Sequence, residues 1–236
     1  MACAVFFALS AVSVSHAGEY RAFKDAMVGA SANMRGASFY LRTKNAMMGG
    51  FELDALAPAW KSVVKRYADS PPDVYADDPK WRATLDSVSA NLATARSATA
   101  KGDIAAARRA VKAMRTALAD LRRRNGVTVF EDCVEEMRTA FAPLFAYRRK
   151  PPDFKSPEQV DRVKAAAAVA EYAFRRCYDR APAAYRGDDM FERQFAQSFK
   201  DFKLLAPAIA RGNTRAFVDL LRQIVSYYHL IFVRFG

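Results

Sequence analysis

Apolar residues recur at every third or fourth position through most of the chain, a spacing typical of amphipathic helices. No stretch shows the strict alternation of apolar and polar residues that marks a half-buried strand. Four helices joined by short loops predict an all-α, up-down-up-down four-helix bundle. In the first half of the chain the pattern places these helices over residues 20–43, 51–68, 79–101 and 104–124, with breaks at Gly49-Gly50, the segment SPPDVYADD and Gly102.

The second half of the chain repeats the breaks and the core positions of the first. Gly102-Asp103, before the fourth helix, returns 110 residues later as Gly212-Asn213. The core follows the same offset, since Trp81 corresponds to Phe191. Conserved spacing of breaks and apolar positions indicates an internal repeat. We therefore predict a duplicated unit, in two tandem four-helix bundles over residues 18–126 and 127–236.

Residues 1–17 have the features of a secretory signal peptide. They are apolar, carry no charged side chain and end in Ser15-His16-Ala17, which fits a cleavage site after Ala17. A basic n-region is missing, and the alternative is a buried or disordered N-terminal helix. We expect secretion, most simply to the periplasm, and no later segment long and apolar enough to span a bilayer.

Two cysteines are left once the predicted signal peptide, with Cys3, is removed. Cys133 falls near the start of the predicted fifth helix and Cys177 near the end of the sixth. Antiparallel neighbours bring those two ends together, and an even number of cysteines in an oxidising compartment favours a bridge. We predict a Cys133–Cys177 disulfide, with two buried thiols as the alternative.

The chain has a formal net charge of +12. Such an excess favours acidic partners, either an acidic periplasmic protein or an anionic membrane surface. A secreted location, and basic residues that are not interleaved with exposed aromatics, argue against nucleic acid as the partner. The alternative is an ordinary solvated basic surface.

Several residues together give each half a resemblance to a known family. They are the methionines of the first helix, the aromatic Trp81 at the start of the third, the Gly102-Asp103 junction and the basic end of the fourth helix. This combination resembles the cytochrome c′ family and is similar to the related b-type four-helix cytochromes. The resemblance implies a periplasmic bundle that binds haem inside it and carries electrons or binds small gases.

The chain departs from this family at the haem attachment site. The family holds haem through Cys-x-x-Cys-His near the end of the fourth helix. The matching residues here are 118–122, LADLR, in the first half and 228–232, YHLIF, in the second. Covalent haem is therefore excluded. Non-covalent haem b would need Met137 and His229 as ligands, although a lone histidine on an apolar helix is more often a core or boundary residue.

Methionine thioethers offer a further possible site. Met27 and Met34 lie seven residues apart on the predicted first helix, and Met47-Met48 follow it. Clustered thioethers can bind copper in the periplasm, but methionines at helical spacing more often fill gaps in a core.

No set of catalytic residues can be assembled from the sequence, so we do not expect an enzyme. One histidine outside the predicted signal peptide cannot form a Ser/His/Asp or Cys/His site. Paired acids such as Asp77-Asp78 and Asp188-Asp189 are typical of helix starts. We expect a secreted, haem-less protein that binds an acidic partner and has no cofactor. The alternatives are electron transfer or gas binding through haem in the second bundle, and copper handling through methionines.

Overall fold

The computed structural model describes the chain from residue 12 onward, with side chains from residue 18. The first eleven residues of the predicted signal peptide lie outside the described residues, and its cleavage site falls within the first helix. The described chain is helical and contains no β-strand, which confirms the all-α prediction. Its nine α-helices are α1 (Val12–Arg42), α2 (Ala46–Tyr67), α3 (Trp81–Ala100), α4 (Ile104–Arg124), α5 (Phe130–Ala146), α6 (Pro157–Asp179), α7 (Ala183–Arg186), α8 (Asp189–Ala210) and α9 (Thr214–Phe235).

These helices form two compact units that meet in sequence between Thr128 and Val129. In the first unit, α1 packs on α2, α2 on α3, α3 on α4, and α4 back on α1. In the second unit, α5, α6, α8 and α9 contact one another in the same closed order. Each unit buries its own hydrophobic core. The short helix α7 packs on α8 and precedes it in the chain.

The predicted helix break at Gly49-Gly50 is wrong. Helix α2 begins earlier, and the break lies at Lys44, whose φ of 64° is left-handed. Asn45 then caps α2, because its side-chain oxygen accepts a hydrogen bond from the backbone three residues on. A Cβ at Gly49 would lie 2.8 Å from the Leu41 side chain. The glycine therefore permits close packing of α2 on α1 instead of interrupting the helix.

The two repeated junctions have the same local structure. Gly102 and Gly212 both adopt left-handed backbone conformations, with φ of 71° and 62°. The side chains of Asp103 and Asn213 each accept a hydrogen bond from the backbone N–H three residues further on, at 2.9 and 3.0 Å. A glycine stop followed by an Asx cap thus makes the same tight turn at the α3–α4 and α8–α9 junctions.

A cluster of three aromatic residues also occurs at corresponding positions of the two units. Ring centroids lie 5.2–6.1 Å apart within two equivalent clusters: Phe23, Tyr75 and Trp81 in the first unit, and Phe130, Tyr185 and Phe191 in the second. The second core contains more aromatic residues than the first. The rings are stacked, tilted or edge-to-face, and such arrangements pack tightly and fix the helix ends they join.

Helix α9 contradicts the expectation that no later segment is long and apolar enough to span a bilayer. By length and composition it could cross a bilayer, with a mean hydropathy of 1.2 over its most apolar window. It is also a core helix, since one of its faces is buried in the second unit through Phe217, Leu221, Ile224, Tyr228 and Ile231. A core helix of a folded domain meets the same criteria of length and composition.

Candidate functional site

Cys133 and Cys177 lie at disulfide-bonding distance, as the sequence predicts. Their Cα atoms are 5.4 Å apart and both side chains are buried. Cys133 belongs to the first turn of α5 and Cys177 to the last turn of α6, and these two helices pack on each other. The pair therefore closes a helical hairpin inside the second core.

The two residues proposed as haem ligands occupy neighbouring helices but different environments. Met137 on α5 is fully buried in the second core. His229 on α9 is only partly buried, at the border of the buried face, with its ring centroid 5.4 Å from that of Tyr228. Helices α5 and α9 contact each other. The structure thus places one candidate ligand inside the unit and the other at its edge.

Aromatic side chains fill the interior one turn beyond Met137. The rings of Phe141, Phe174 and Phe202 lie 5.1–6.2 Å from one another and come from three different helices, α5, α6 and α8. All three residues are at most 4 % exposed. Interiors packed in this way have few voids larger than a water molecule, so a porphyrin here would have to displace these rings.

The four methionines proposed as copper ligands lie at different depths. Met34 is buried in the first core, and Met27 is partly buried against the same core. Met47, in the first turn of α2, is 68 % exposed, and its neighbour Met48 is partly buried. Among the residues that the structure describes, no group of three or more His, Cys, Asp or Glu side chains is placed to hold a metal ion.

The outer face of α4 is a concentrated basic surface. This helix carries seven basic residues and one acidic residue, whereas its counterpart α9 carries three and one. Arg108, Arg109, Lys112 and Arg123 are exposed, while the apolar residues of the opposite face enter the first core. Helix α4 therefore carries +6 of the net charge of +12.

Two hollows lie along this basic face and share the side chains of Ala117 and Asp120. One, of about 470 Å³, runs between α3 and α4 and is lined by Lys80, Ala83, Thr84, Ser87, Ala117, Asp120, Arg123 and Arg124. The other, of about 370 Å³, continues along α4 and is lined by Arg109, Lys112, Ala113, Thr116, Ala117 and Asp120. The two shallow hollows adjoin through these shared residues and are lined by small and charged side chains, and we refer to them together as the groove.

A buried carboxylate fixes one end of this groove. Arg124 Nε donates a hydrogen bond to Asp78 Oδ2 at 2.7 Å, and Arg124 Nη2 donates one to Thr84 Oγ1, also at 2.7 Å. Asn125 and the backbone N–H of Lys80 also donate to Asp78. Burial alone would raise the pKa of Asp78, but these hydrogen bonds and the Arg124 charge outweigh it and lower the pKa. Asp78 therefore stays ionised and holds Arg124 in place.

The second unit has different residues at the corresponding positions. At the places of Arg109, Ala117, Asp120 and Arg123 it carries Asp219, Tyr227, Leu230 and Val233. Tyr227 is larger than Ala117, Asp219 reverses the charge of Arg109, and Leu230 and Val233 are apolar where the first unit has charged residues. By this correspondence Tyr227 stands where Ala117 leaves the floor of the first groove open. Burial, and then the nearby charge of Asp201, raises the pKa of Tyr227.

Helix α8 also buries polar atoms that have no partner in the described part of the chain. They are Oε1 of Gln194 and Oδ2 of Asp201, in residues that are 8 % and 4 % exposed. Burial raises the pKa of Asp201. The two residues are seven positions apart, about 10 Å along the helix, so they do not converge on one ligand.

Comparisons of the chain with protein-family models, with curated proteins and with solved structures find no match. The geometry of the site is therefore the basis for a functional proposal.

The sequence analysis missed the groove, because it assigned the positive charge to the surface as a whole and to no particular helix. A signal was present: small residues recur on one face of α4 between Arg109 and Arg123. That spacing is the one at which a helix presents a single face to a partner.

Proposed function

We propose that the protein is a secreted, haem-less relative of the cytochrome c′ class, built from two tandem four-helix bundles. We further propose that it binds acidic protein partners through the basic face of its first unit. The observation that carries the second proposal is the excess of exposed arginine and lysine on α4, next to an open groove.

Repeated local structure supports descent of the two units from one duplicated bundle. Asp78 pairs with Arg124 at 2.7 Å, and Asp188 pairs with Arg234 at the same distance, 110 residues later in each case. The glycine turns and aromatic clusters recur at equivalent places too. The closed contact order of four long helices in each unit is the order expected of an up-down-up-down bundle.

Core packing supports the absence of covalent haem. At the positions where the family has its second cysteine, the chain has Leu121 and Ile231, and both are buried in their cores. Buried apolar side chains thus occupy the place of the second motif cysteine in each unit.

Electrostatics support an acidic partner. Exposed cations on one face raise the local concentration of anionic groups and speed their association. Such attraction is screened over about 8 Å at physiological ionic strength, so only a partner that touches this face would be held. Export by the predicted signal peptide would place the protein among periplasmic partners.

Salt dependence tests this proposal. The probe is poly-L-glutamate, an unstructured acidic polymer at neutral pH, titrated into the purified exported protein. We expect affinity to fall steeply as ionic strength rises from about 0.01 to 0.15 M, because the Debye length shrinks from about 30 to 8 Å. Absence of binding at low salt, or binding that salt does not change, would contradict the proposal. Vesicles of phosphatidylglycerol serve as the membrane alternative, and stronger binding to them would identify a lipid surface as the partner.

A second candidate function is haem binding in the second unit. It is favoured by the position of Met137 and His229 on two helices that contact each other. Such a thioether–imidazole pair would give the axial ligation of an electron-transfer haem.

A further inference from the structure

We infer that the groove on the first unit binds one acidic α-helix of a partner protein, laid along α4. This inference rests on the proposed function, since it specifies the partner that the basic face would attract. It is carried by the spacing, the size and the charge of the residues that line the groove.

The exposed residues of the groove follow the spacing of a helix–helix seam. Along α4, successive members of this set are three residues or one residue apart: Arg109, Lys112, Ala113, Thr116, Ala117, Asp120, Arg123 and Arg124. We call this set the α4 stripe. Every member is exposed or partly exposed. Steps of three and four residues place side chains on one face of a helix, which is how a helix meets another helix that lies beside it.

Small side chains at the centre of the α4 stripe permit close approach. Ala113, Thr116 and Ala117 lie between the charged ends, and Ala83 and Ser87 of α3 continue the floor. Small residues let two helix backbones come near each other, at the short end of the usual interaxial range of 8–10 Å. The stripe covers 15 residue steps, so it is about 22 Å long and matches a partner helix of about four turns.

The charges favour an acidic partner. Arg123 pairs with Asp120 at 2.8 Å, and Arg124 pairs with the buried Asp78. Within the described part of the chain, no ion pair includes Arg109 or Lys112. These two side chains, together with that of Lys80, can therefore form ion pairs with carboxylates of the partner without first breaking an ion pair within the protein.

The shape favours a helix over a bilayer. A lipid surface is broad and nearly flat at this scale, and it would contact exposed cations without entering a groove. Here the cations come from two elements, Lys80 from the residue before α3 and Arg123 from α4, and small residues of both helices line the same hollow. At the position of Ala117 the second unit carries the larger Tyr227, so the correspondence assigns this site to the first unit.

The test uses an acidic peptide of about 18 residues, capped at both ends, with its glutamates on one face and a hydrocarbon staple on the opposite face to keep it helical. Its affinity for the full-length exported protein is measured by fluorescence anisotropy. Ala117→Tyr introduces the residue of the second unit without changing charge, and should weaken binding about tenfold by filling the groove. Thr116→Tyr is a second obstruction at an exposed position, chosen in case the first variant does not fold.

Two charge reversals separate the groove from general electrostatics. Arg109→Asp introduces the residue found at the equivalent position of the second unit, Asp219, and should lower the affinity for the peptide about tenfold. Lys164→Asp makes the same change in net charge at an exposed position of α6 in the second unit, and should have little effect. Far-UV circular dichroism and thermal unfolding check that all variants are folded.

The outcomes distinguish this inference from the broader proposal. Equal weakening by Arg109→Asp and Lys164→Asp, or unchanged binding in both tyrosine variants, would overturn the groove and leave salt-dependent binding of polyglutamate standing. No preference for the helical peptide over a scrambled one of the same composition would overturn the helical partner. Failure of polyglutamate to bind at low salt would remove the proposed function, and the inference with it.

Discussion

Arg124 contacts Asp78 at 2.7 Å, and the Asp78 side chain is only 1 % exposed. Their counterparts Arg234 and Asp188 have the same separation, but the Asp188 side chain is 25 % exposed. Each pair ties the end of the last helix of its unit to the loop before the third long helix. Since a hydrogen-bonded charge is costlier to leave unpaired when it is buried, the first pair should contribute more to stability than the second.

Asp78→Ala should lower the free energy of unfolding of the first unit by about 2 kcal/mol, because it removes the carboxylate that accepts hydrogen bonds from Arg124 and Asn125. Both tryptophans, Trp60 and Trp81, belong to this unit, so urea unfolding followed by tryptophan fluorescence measures it alone. Asp188→Ala is the matched control and should leave this transition unchanged. Equal midpoints for wild type and Asp78→Ala would contradict the role given to the pair.

The stabilisation by Asp78 should also depend on pH. Its pKa is lower in the folded protein than the ordinary value of about 4, so the folded state favours the ionised form. The contribution is therefore complete above about pH 4 and is lost as the pH falls through the lowered folded pKa. In Asp78→Asn, the free energy of unfolding of the first unit should fall less as the pH is lowered. Urea unfolding between about pH 2 and 7 measures this dependence. A fall identical to that of wild type would exclude Asp78 as its source.

The helices and the bounds of α4 could be read from the sequence, but the start of α2 and the groove could not. Apolar periodicity identified every long helix, because each buries one face. It failed at Gly49, where the absence of a side chain serves packing on Leu41 instead of ending a helix. It also failed for the groove, because a hollow depends on which small residues of two helices lie opposite each other. Ala83 and Ala117 line the same hollow although 34 residues separate them in the sequence.

Removing the Cys133–Cys177 bridge should destabilise the second unit. The cysteines are 44 residues apart, and closing a loop of this length lowers the entropy of the unfolded chain by an amount equivalent to about 4 kcal/mol. Cys133→Ser/Cys177→Ser should therefore unfold at lower urea concentration when followed by tyrosine fluorescence or far-UV circular dichroism. Reduced wild type should behave like the double variant. Two free thiols in native exported material would contradict the prediction directly.

Asp201→Asn should stabilise the second unit at neutral pH by about 1 kcal/mol. Its carboxylate is buried with one oxygen unpartnered, so burial raises its pKa and the ionised form is disfavoured in the folded state. The folded protein therefore holds the proton more strongly, and stability should fall as pH rises from about 4 through the raised folded pKa. Asparagine cannot ionise and is the residue at the equivalent position of the first unit, Asn91.

The control for this prediction is Asp219→Asn, on the exposed side of α9, which should change neither the stability nor its pH slope by a comparable amount. A destabilised Asp201→Asn protein would mean that the carboxylate has a favourable partner and that its burial is not a cost.

The haem alternative predicts a spectrum that the proposed function does not. Because Phe141, Phe174 and Phe202 pack against one another beside Met137, we expect protein exported from haem-replete cells to be colourless. The measurement is an absorption spectrum of freshly purified protein, with and without added haemin. A Soret band that is lost in His229→Ala would contradict the haem-less proposal, and its loss in Met137→Leu as well would identify the second ligand. A weak band that survives both substitutions would indicate haem adsorbed on the surface, because neither candidate ligand would then be needed to hold it.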